Sequence, residues 1–484
     1  MMCSDGPTLD GGPFPIEADR GWRTLYASYP SSARLRNRGM GLIGYTWEEN
    51  GPSIAVRDGR GSLRASIASM TSLPFVDVLY IRCDWRDVQS VGGSLDLGEV
   101  WHHTVAFARD AGLRIAFRIQ ASNPDRPDGR PALPDFLLDR IPMHEIGDAR
   151  RKYGVRRMLE PDYGSPEYAK AFSELNELLA EKFNGDPSVE FVDLMMYGFW
   201  GEGHTGNLPS PFKSYAHARD TFLSLTALQL DVWDCAPLAV NLQPDISCVG
   251  NREVRELAMA RGAWVRTDSV ILEEPEQIGL LRNRPAECAA IVEDGSYRTY
   301  ACELNVADPL CSYQAGKLDN MVAHALDAGA NYWALWTEAD NIRRYAAESD
   351  ALAQLCSKIG YRVRPAWIWQ RRLEHSSDLV ISLVNDGVAG VPGQLRLSLY
   401  GRGRTLISSG LLPRGAPGPG GHIQVSMPVH DAALGSEAAL ELSIEDRARR
   451  SFPVAWGCRG VSVPGDRIAF GLARTDDEGW RSGI

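Results

Sequence analysis

Long apolar runs, paired cysteines and an excess of positive charge are all missing from this chain of 484 residues. No stretch of 18 apolar residues occurs, so no membrane-spanning helix and no membrane partner are expected. The first ten residues, Met1 to Asp10, have neither the basic start nor the apolar segment of a secretory signal, and a cytoplasmic location is the expectation. Nine cysteines are spread from Cys3 to Cys458 without a Cys-x-x-Cys pair, which argues against a zinc site and against a disulfide framework. Cys83, Cys288 and Cys302 lie in or beside strand-like runs and read as small buried hydrophobes. With 51 basic against 62 acidic residues the net charge is -11, so the basic footprint of a nucleic-acid binder is absent. The short Arg-rich pieces Arg151 to Arg157 and Arg447 to Arg450 read as solvated surface. Oligomeric state is left open, a homo-oligomer included.

What is present is globular: 44% of residues are hydrophobic and 23% charged, enough for one large core and a smaller domain. Between about residues 41 and 360, short apolar runs alternate with amphipathic stretches, the pattern of a parallel sheet covered by helices. Eight candidate strands are found: Gly41 to Trp47, Val76 to Cys83, Leu113 to Gln120, Val189 to Tyr197, Leu238 to Gln243, Trp264 to Val270, Ala289 to Glu293 and Asn331 to Trp336. That number predicts an α/β fold, a closed (β/α)8 TIM barrel, with a doubly wound open sheet as the alternative. Ser165 as N-cap, Pro166 at the first helical position, and Tyr168, Phe172, Leu175, Leu179 and Phe183 at helical spacing predict one covering helix. A second stripe runs through Leu318, Met321, Val322, Ala325 and Leu326 and ends at Gly329. After about residue 365 the period changes to two, as in Leu379 to Val384 and Gln394 to Leu399, with Gly and Pro between. Residues 1–365 are therefore expected to hold the barrel with an N-terminal extension, and residues 366–484 a β-sandwich.

Catalytic groups of parallel barrels sit at the C-terminal ends of the strands, so the strand exits are where polar residues carry information. The fourth exit delivers Tyr197-Gly-Phe-Trp-Gly-Glu-Gly-His204, with Trp200, Glu202 and His204 among glycines that permit unusual backbone shapes. The seventh places Glu293 directly after an apolar strand. Two carboxylates across a barrel mouth can serve as proton donor and nucleophile toward an acetal carbon, and retaining glycosidases hold them roughly 5 to 5.5 Å apart. Arg82, Asp84, Arg118, Asn241, Arg266 and Asp268 lie on or just after strands, where charged groups need partners. An Arg such as Arg82 or Arg118 can hold the nucleophile ionised while a drier pocket raises the acid. Trp85, Trp200, Trp333 and Trp336 offer flat rings suited to sugar faces, and Glu338 is a rival nucleophile. The long loop from about residue 121 to 163, with Arg156, Arg157, Glu160 and Tyr163, is expected on the same face.

Pro161-Asp-Tyr-Gly-Ser-Pro-Glu-Tyr168, Asp186-Pro187 and Tyr197-Gly-Phe-Trp-Gly-Glu-Gly-His204 together resemble a beta-galactosidase-like group within clan A of the barrel glycoside hydrolases, which carries a β-sandwich after its barrel. The resemblance implies Glu202 as general acid/base, Glu293 as nucleophile, Trp336 as the eighth-strand Trp, and a carbohydrate substrate with no cofactor or metal. One position departs from the pattern. Clan A members mostly carry Asn before the acid/base, contacting the sugar 2-hydroxyl, whereas this chain has Gly201, with Asn241 as a substitute. The expected activity is a retaining glycoside hydrolase acting on a small oligosaccharide or glycoside. The alternatives are a non-catalytic carbohydrate-binding barrel and, less supported, a metal-dependent barrel enzyme using His204 and Asp268.

Overall fold

Eight strands share a parallel register that closes on itself: β1 (Gly41–Glu48), β2 (Val78–Asp84), β3 (Arg114–Gln120), β4 (Val189–Asp193), β5 (Leu238–Asn241), β6 (Trp264–Thr267), β7 (Ala290–Glu293) and β8 (Tyr332–Leu335). Each pairs with the next, and β8 returns to β1 through Trp333 opposite Leu42. The computed structural model describes residues 8–9, 21–48, 51–52, 61–124, 126, 129–145, 159–204, 212–242, 251–267, 275–293, 315–335, 338–373, 377–430, 433–474, 476 and 481–482. A helix follows every strand: α1 (Leu63–Thr71), α2 (Glu99–Ala111), α3 (Pro166–Phe183), α4 (Tyr215–Val232), α5 (Asn251–Ala260), α6 (Pro275–Arg282), α7 (Ala315–Asp327) and α8 (Ala339–Glu348), with α9 (Ala351–Lys358) after the last. The fold is thus the expected TIM barrel, closed rather than doubly wound. Among the described residues, no helix is long and apolar enough to cross a membrane.

The helices form where the sequence signals them. Ser165 caps α3 by accepting from the Glu167 N–H, and the predicted stripe Tyr168, Phe172, Leu175, Leu179 and Phe183 is buried against the strands. On α7, Val322 and Ala325 are buried, and Gly329 turns the chain at a φ of 71° into β8.

Period-two alternation divides the strands between two cores. Leu79, Ile81, Ile115, Phe117, Ile119, Val240, Val265 and Val292 point outward into the helix layer. Val78, Tyr80, Ala116, Phe191, Ala239, Trp264, Ile291 and Tyr332 point inward and fill the barrel. Trp85 and Trp333 belong to the outer core; Trp85, expected near a sugar, is buried edge-on against Tyr168 and Phe172.

Apart from a two-stranded ribbon of Met143–Glu145 and Leu159–Pro161 in the loop after β3, two antiparallel sheets form the rest of the described structure. One joins His422–Val429, Ser377–Asn385, Val363–Arg372 and Gly21–Ala27, with short strands at its edges; the other joins Leu406–Leu411, Gln394–Tyr400, Glu437–Glu445, Ser451–Pro453 and Ile468–Gly471. Their inner residues, among them Ile381, Leu397, Met427 and Leu442, share a separate core. The expected cut at residue 365 falls inside the strand Val363–Arg372, and the N-terminal strand Gly21–Ala27 pairs with that strand rather than with the barrel.

Candidate active site

Above the apolar filling, the inward positions of the strands turn polar. Continuing the alternation two residues at a time gives Tyr45 on β1, Arg82 and Asp84 on β2, Arg118 and Gln120 on β3, Asp193 on β4, Asn241 on β5, Arg266 on β6 and Glu293 on β7. All are buried. A charged tier inside a barrel is tolerated only if its members pair with one another, and they do.

Asp193 is the hub. Its Oδ2 accepts from the Arg118 Nε at 2.9 Å, from Arg266 and from the Tyr80 hydroxyl, and pairs with the Arg118 Nη2 at 2.9 Å. Arg118 reaches on to Glu202 Oε1 at 2.5 Å, where Arg82 also donates. Arg266 reaches in the other direction to Glu293 Oε2, while the Tyr45 hydroxyl donates to Glu293 Oε1 at 2.5 Å. Glu202 and Glu293 are thereby tied to one aspartate, each through one guanidinium group. Three arginines face three carboxylates.

Burial alone would raise the Glu202 carboxyl, but Arg82 and Arg118, with help from His204, outweigh it and hold Glu202 well below the usual carboxylate range. That is the reverse of the drier, raised acid expected from sequence. Asp193 is raised by burial against the pull of Arg118 and the Tyr80 hydrogen bond. One tier higher, Asp84 accepts from Gln120 at 2.6 Å, Asn123 at 3.0 Å and Arg126, and burial followed by the charge of Asp87 lifts it to about 6.

Glu202 is carried by a ring of residues from 198 to 204 that departs from the predicted strand. β4 stops at Asp193, four residues short of Tyr197, because Met195 and Met196 adopt φ of 79° and 53° and leave the ladder. Trp200 is also left-handed, at 56°, so three of the five described non-glycine residues with positive φ lie within six positions of one another. Such strain concentrates at functional sites. Phe199 N–H donates to the His204 carbonyl at 3.1 Å, closing the ring, and a Cβ on Gly198 would meet the His204 backbone nitrogen at 2.7 Å. His204 Nε2 comes to rest 3.3 Å from Glu202 Oε2, with the Trp200 ring edge-on to the imidazole. Gly201, where the resemblance led to an expected Asn, has φ 66°, and a Cβ there would meet the Ile119 carbonyl at 3.1 Å, so a side chain at this position would press against β3.

The ring rests on the long loop after β3. Glu160 and Tyr163, expected near a pocket, are buried behind it: Glu160 accepts from Ser122 and from the Tyr163 hydroxyl at 2.7 Å, and that hydroxyl accepts from the Gly198 N–H at 3.0 Å. Burial, opposed by these two hydrogen bonds, raises Glu160 to about 7. Cys83 and Cys288 are buried, as read from sequence, and burial pushes both thiols up, which makes them poor nucleophiles. Asn241 ends β5 opposite Arg266. Glu338 stands at the N-cap of α8. Asp268, Trp336, Cys302, Arg156 and Arg157 lie outside the described residues. Among the described residues, no group of three or more His, Cys, Asp or Glu is arranged to hold a metal ion. Sequence reasoning missed Asp193, Tyr45 and Tyr80. The available signal was three inward arginines that required as many counter-charges.

No family profile and no curated protein matches the chain. Solved structures resemble it at low identity. They include an exo-beta-1,4-mannosidase, Op5Man5, from Opitutaceae bacterium strain TAV5, 11% identical over 68% of this chain and 58% of its own, with a TM-score of 0.34. A D-allulose 3-epimerase from Methylomonas sp. is 10% identical over 65% of this chain and 98% of its own, at 0.34. A beta-galactosidase from Rahnella sp. R3 is 10% identical over 71% of this chain and 59% of its own, at 0.38. The chain thus spans under two thirds of the mannosidase and of the galactosidase. Likeness at this level is one of fold, and the chemistry rests on this chain's own side chains.

Proposed function

We propose that the protein is a glycoside hydrolase acting on a small oligosaccharide or glycoside with retention at the anomeric carbon. The observation that carries this reading is the pair of glutamates, Glu202 after the fourth strand and Glu293 on the seventh, joined through Asp193 in one charge-balanced tier at the C-terminal end of the barrel. Glu293 is the nucleophile. Arg266 and Tyr45 donate to its two oxygens and fix its direction toward an anomeric carbon. Its electron pair forms the C–O bond to that carbon as the glycosidic bond breaks, and the leaving oxygen takes a proton from the Glu202 and His204 side. Water then delivers its hydroxyl to the sugar, returns a proton to that side, and releases Glu293. Trp200, His204 and Asn241, with Asp268 and Trp336, are the proposed substrate contacts, and Arg82 and Arg118 serve the site through Glu202.

The test is turnover of a panel of aryl glycosides and oligosaccharides by the wild type, Glu202→Gln and Glu293→Gln. The expected result is wild-type hydrolysis, a loss of roughly 10²–10⁴-fold in each variant, and a first-formed product of unchanged anomeric configuration by NMR. A product of inverted configuration overturns retention. Binding without turnover in all three proteins replaces the enzyme reading with a carbohydrate-binding barrel, which the burial of both glutamates would then explain.

A further inference from the structure

The Glu202 carboxylate is surrounded by cationic and imidazole groups: Oε1 accepts from Arg82 and Arg118, and Oε2 lies 3.3 Å from His204 Nε2. With two guanidinium groups on one oxygen and an imidazole beside the other, Glu202 is held as a carboxylate and has no proton to offer a substrate. The Glu202 side chain is 2% exposed, whereas that of His204 is 18% exposed, so an incoming ligand meets the imidazole first. Among the described residues, nothing hydrogen-bonds the other ring nitrogen, Nδ1. The ring of residues 198 to 204 closes through the His204 backbone, and Gly198 is required by that closure, so the loop is built around the placement of His204 beside Glu202.

We infer that His204 carries the catalytic proton to the leaving group, and that Glu202 is its buried counter-ion and positioning residue. This step rests on the glycosidase reading above. In the first half-reaction the imidazolium Nδ1 gives its proton to the glycosidic oxygen as the bond to the anomeric carbon breaks and Glu293 bonds to that carbon. In the second, the neutral imidazole takes a proton from the attacking water as the Glu293 bond breaks. Glu202 stays ionised throughout, balanced first by three cations and then by the two guanidinium groups. Its arginines are explained by this role, because a group that must remain charged is served by them and a group that must donate a proton is not.

The experiment compares dinitrophenyl and methyl glycosides of whichever sugar the aryl panel identifies, using wild type, His204→Ala, His204→Gln and Glu202→Gln, with thermal melting to confirm folding. A dinitrophenolate leaves without a proton and a methoxide does not. His204→Ala and His204→Gln are expected to lose about 10²–10⁴-fold in kcat/KM on the methyl glycoside and under about tenfold on the dinitrophenyl glycoside, with added imidazole restoring part of the loss in His204→Ala. Equal loss on both substrates, or no loss, overturns the inference. So does a leaving-group split confined to Glu202→Gln, which returns the proton to the glutamate. If the wild type itself turns over no glycoside, the hydrolase reading fails first and takes this step with it.

Discussion

Asp193 was invisible as a functional residue because its meaning comes from partners on other strands. Glu202 and Glu293 announced themselves by position, one in a glycine-rich exit and one ending an apolar strand, but an aspartate inside Val189–Asp193 looks like any strand polar group until Arg118 and Arg266 are seen to converge on it. Removing it leaves both guanidinium groups buried with a shared counter-charge lost. Asp193→Ala is expected to cost about 3–5 kcal/mol in urea unfolding, and a cost below about 1 kcal/mol would mean that the tier is wet and its pairs are weak. Glu160 makes the opposite prediction. Raised from its ordinary 4.5 to about 7, it holds a proton in the folded protein that the unfolded chain has already released. Its contribution to stability therefore falls as pH rises from about 4.5 to 7 and is flat above. Glu160→Gln removes that slope, gaining on wild type by on the order of 2 kcal/mol between pH 5 and pH 8. Parallel stability profiles would show that Glu160 is ionised in the fold.

At the scale of elements, periodicity was a sound guide wherever the chain obeys it. All eight strands and the stripe on α3 were legible because burial on one face or both selects apolar residues at fixed spacing. It failed at the end of β4, where the apolar run Leu194-Met-Met-Tyr197 continues but the backbone does not. Positive φ at methionine is no part of any spacing rule. The ring that follows is the element on which activity should depend more than stability. Gly198→Ala meets both a left-handed φ of 69° and the His204 backbone. The left-handed conformation alone costs about 1–2 kcal/mol, yet the larger effect is expected on His204 and Glu202, with kcat/KM reduced by about tenfold or more. A variant that loses stability but keeps wild-type kcat/KM would separate the ring from the chemistry.

Across the whole molecule, the second unit is fastened to the barrel at the N-terminal end, away from the charged tier. Asn331, at the entrance to β8, accepts from the Ala290 N–H and from Arg284, both at 3.0 Å, and donates to the carbonyls of Gly39 at 3.2 Å and Gly390 at 3.1 Å. Asn37 exchanges two hydrogen bonds with Ala455, and Arg450 donates to the Gly185 carbonyl. The sequence suggested a boundary near residue 365, but pairing of Gly21–Ala27 with Val363–Arg372 threads both ends of the barrel segment into one sheet, a long-range contact that no local pattern encodes. Unfolding is accordingly expected as one calorimetric transition. Asn331→Ala should lower stability by about 1–3 kcal/mol through the buried backbone groups it leaves unpaired and keep the transition single; two resolved transitions would show that the units melt independently.

The chain of charges through Asp193 has a kinetic corollary. Glu202, Asp193 and Glu293 are strung on shared guanidinium groups, so a proton gained at any one of them changes the field at the other two. The acid limb of a rate profile will then report macroscopic constants that belong to the assembly, not to a residue. Replacing one carboxylate should displace both limbs at once.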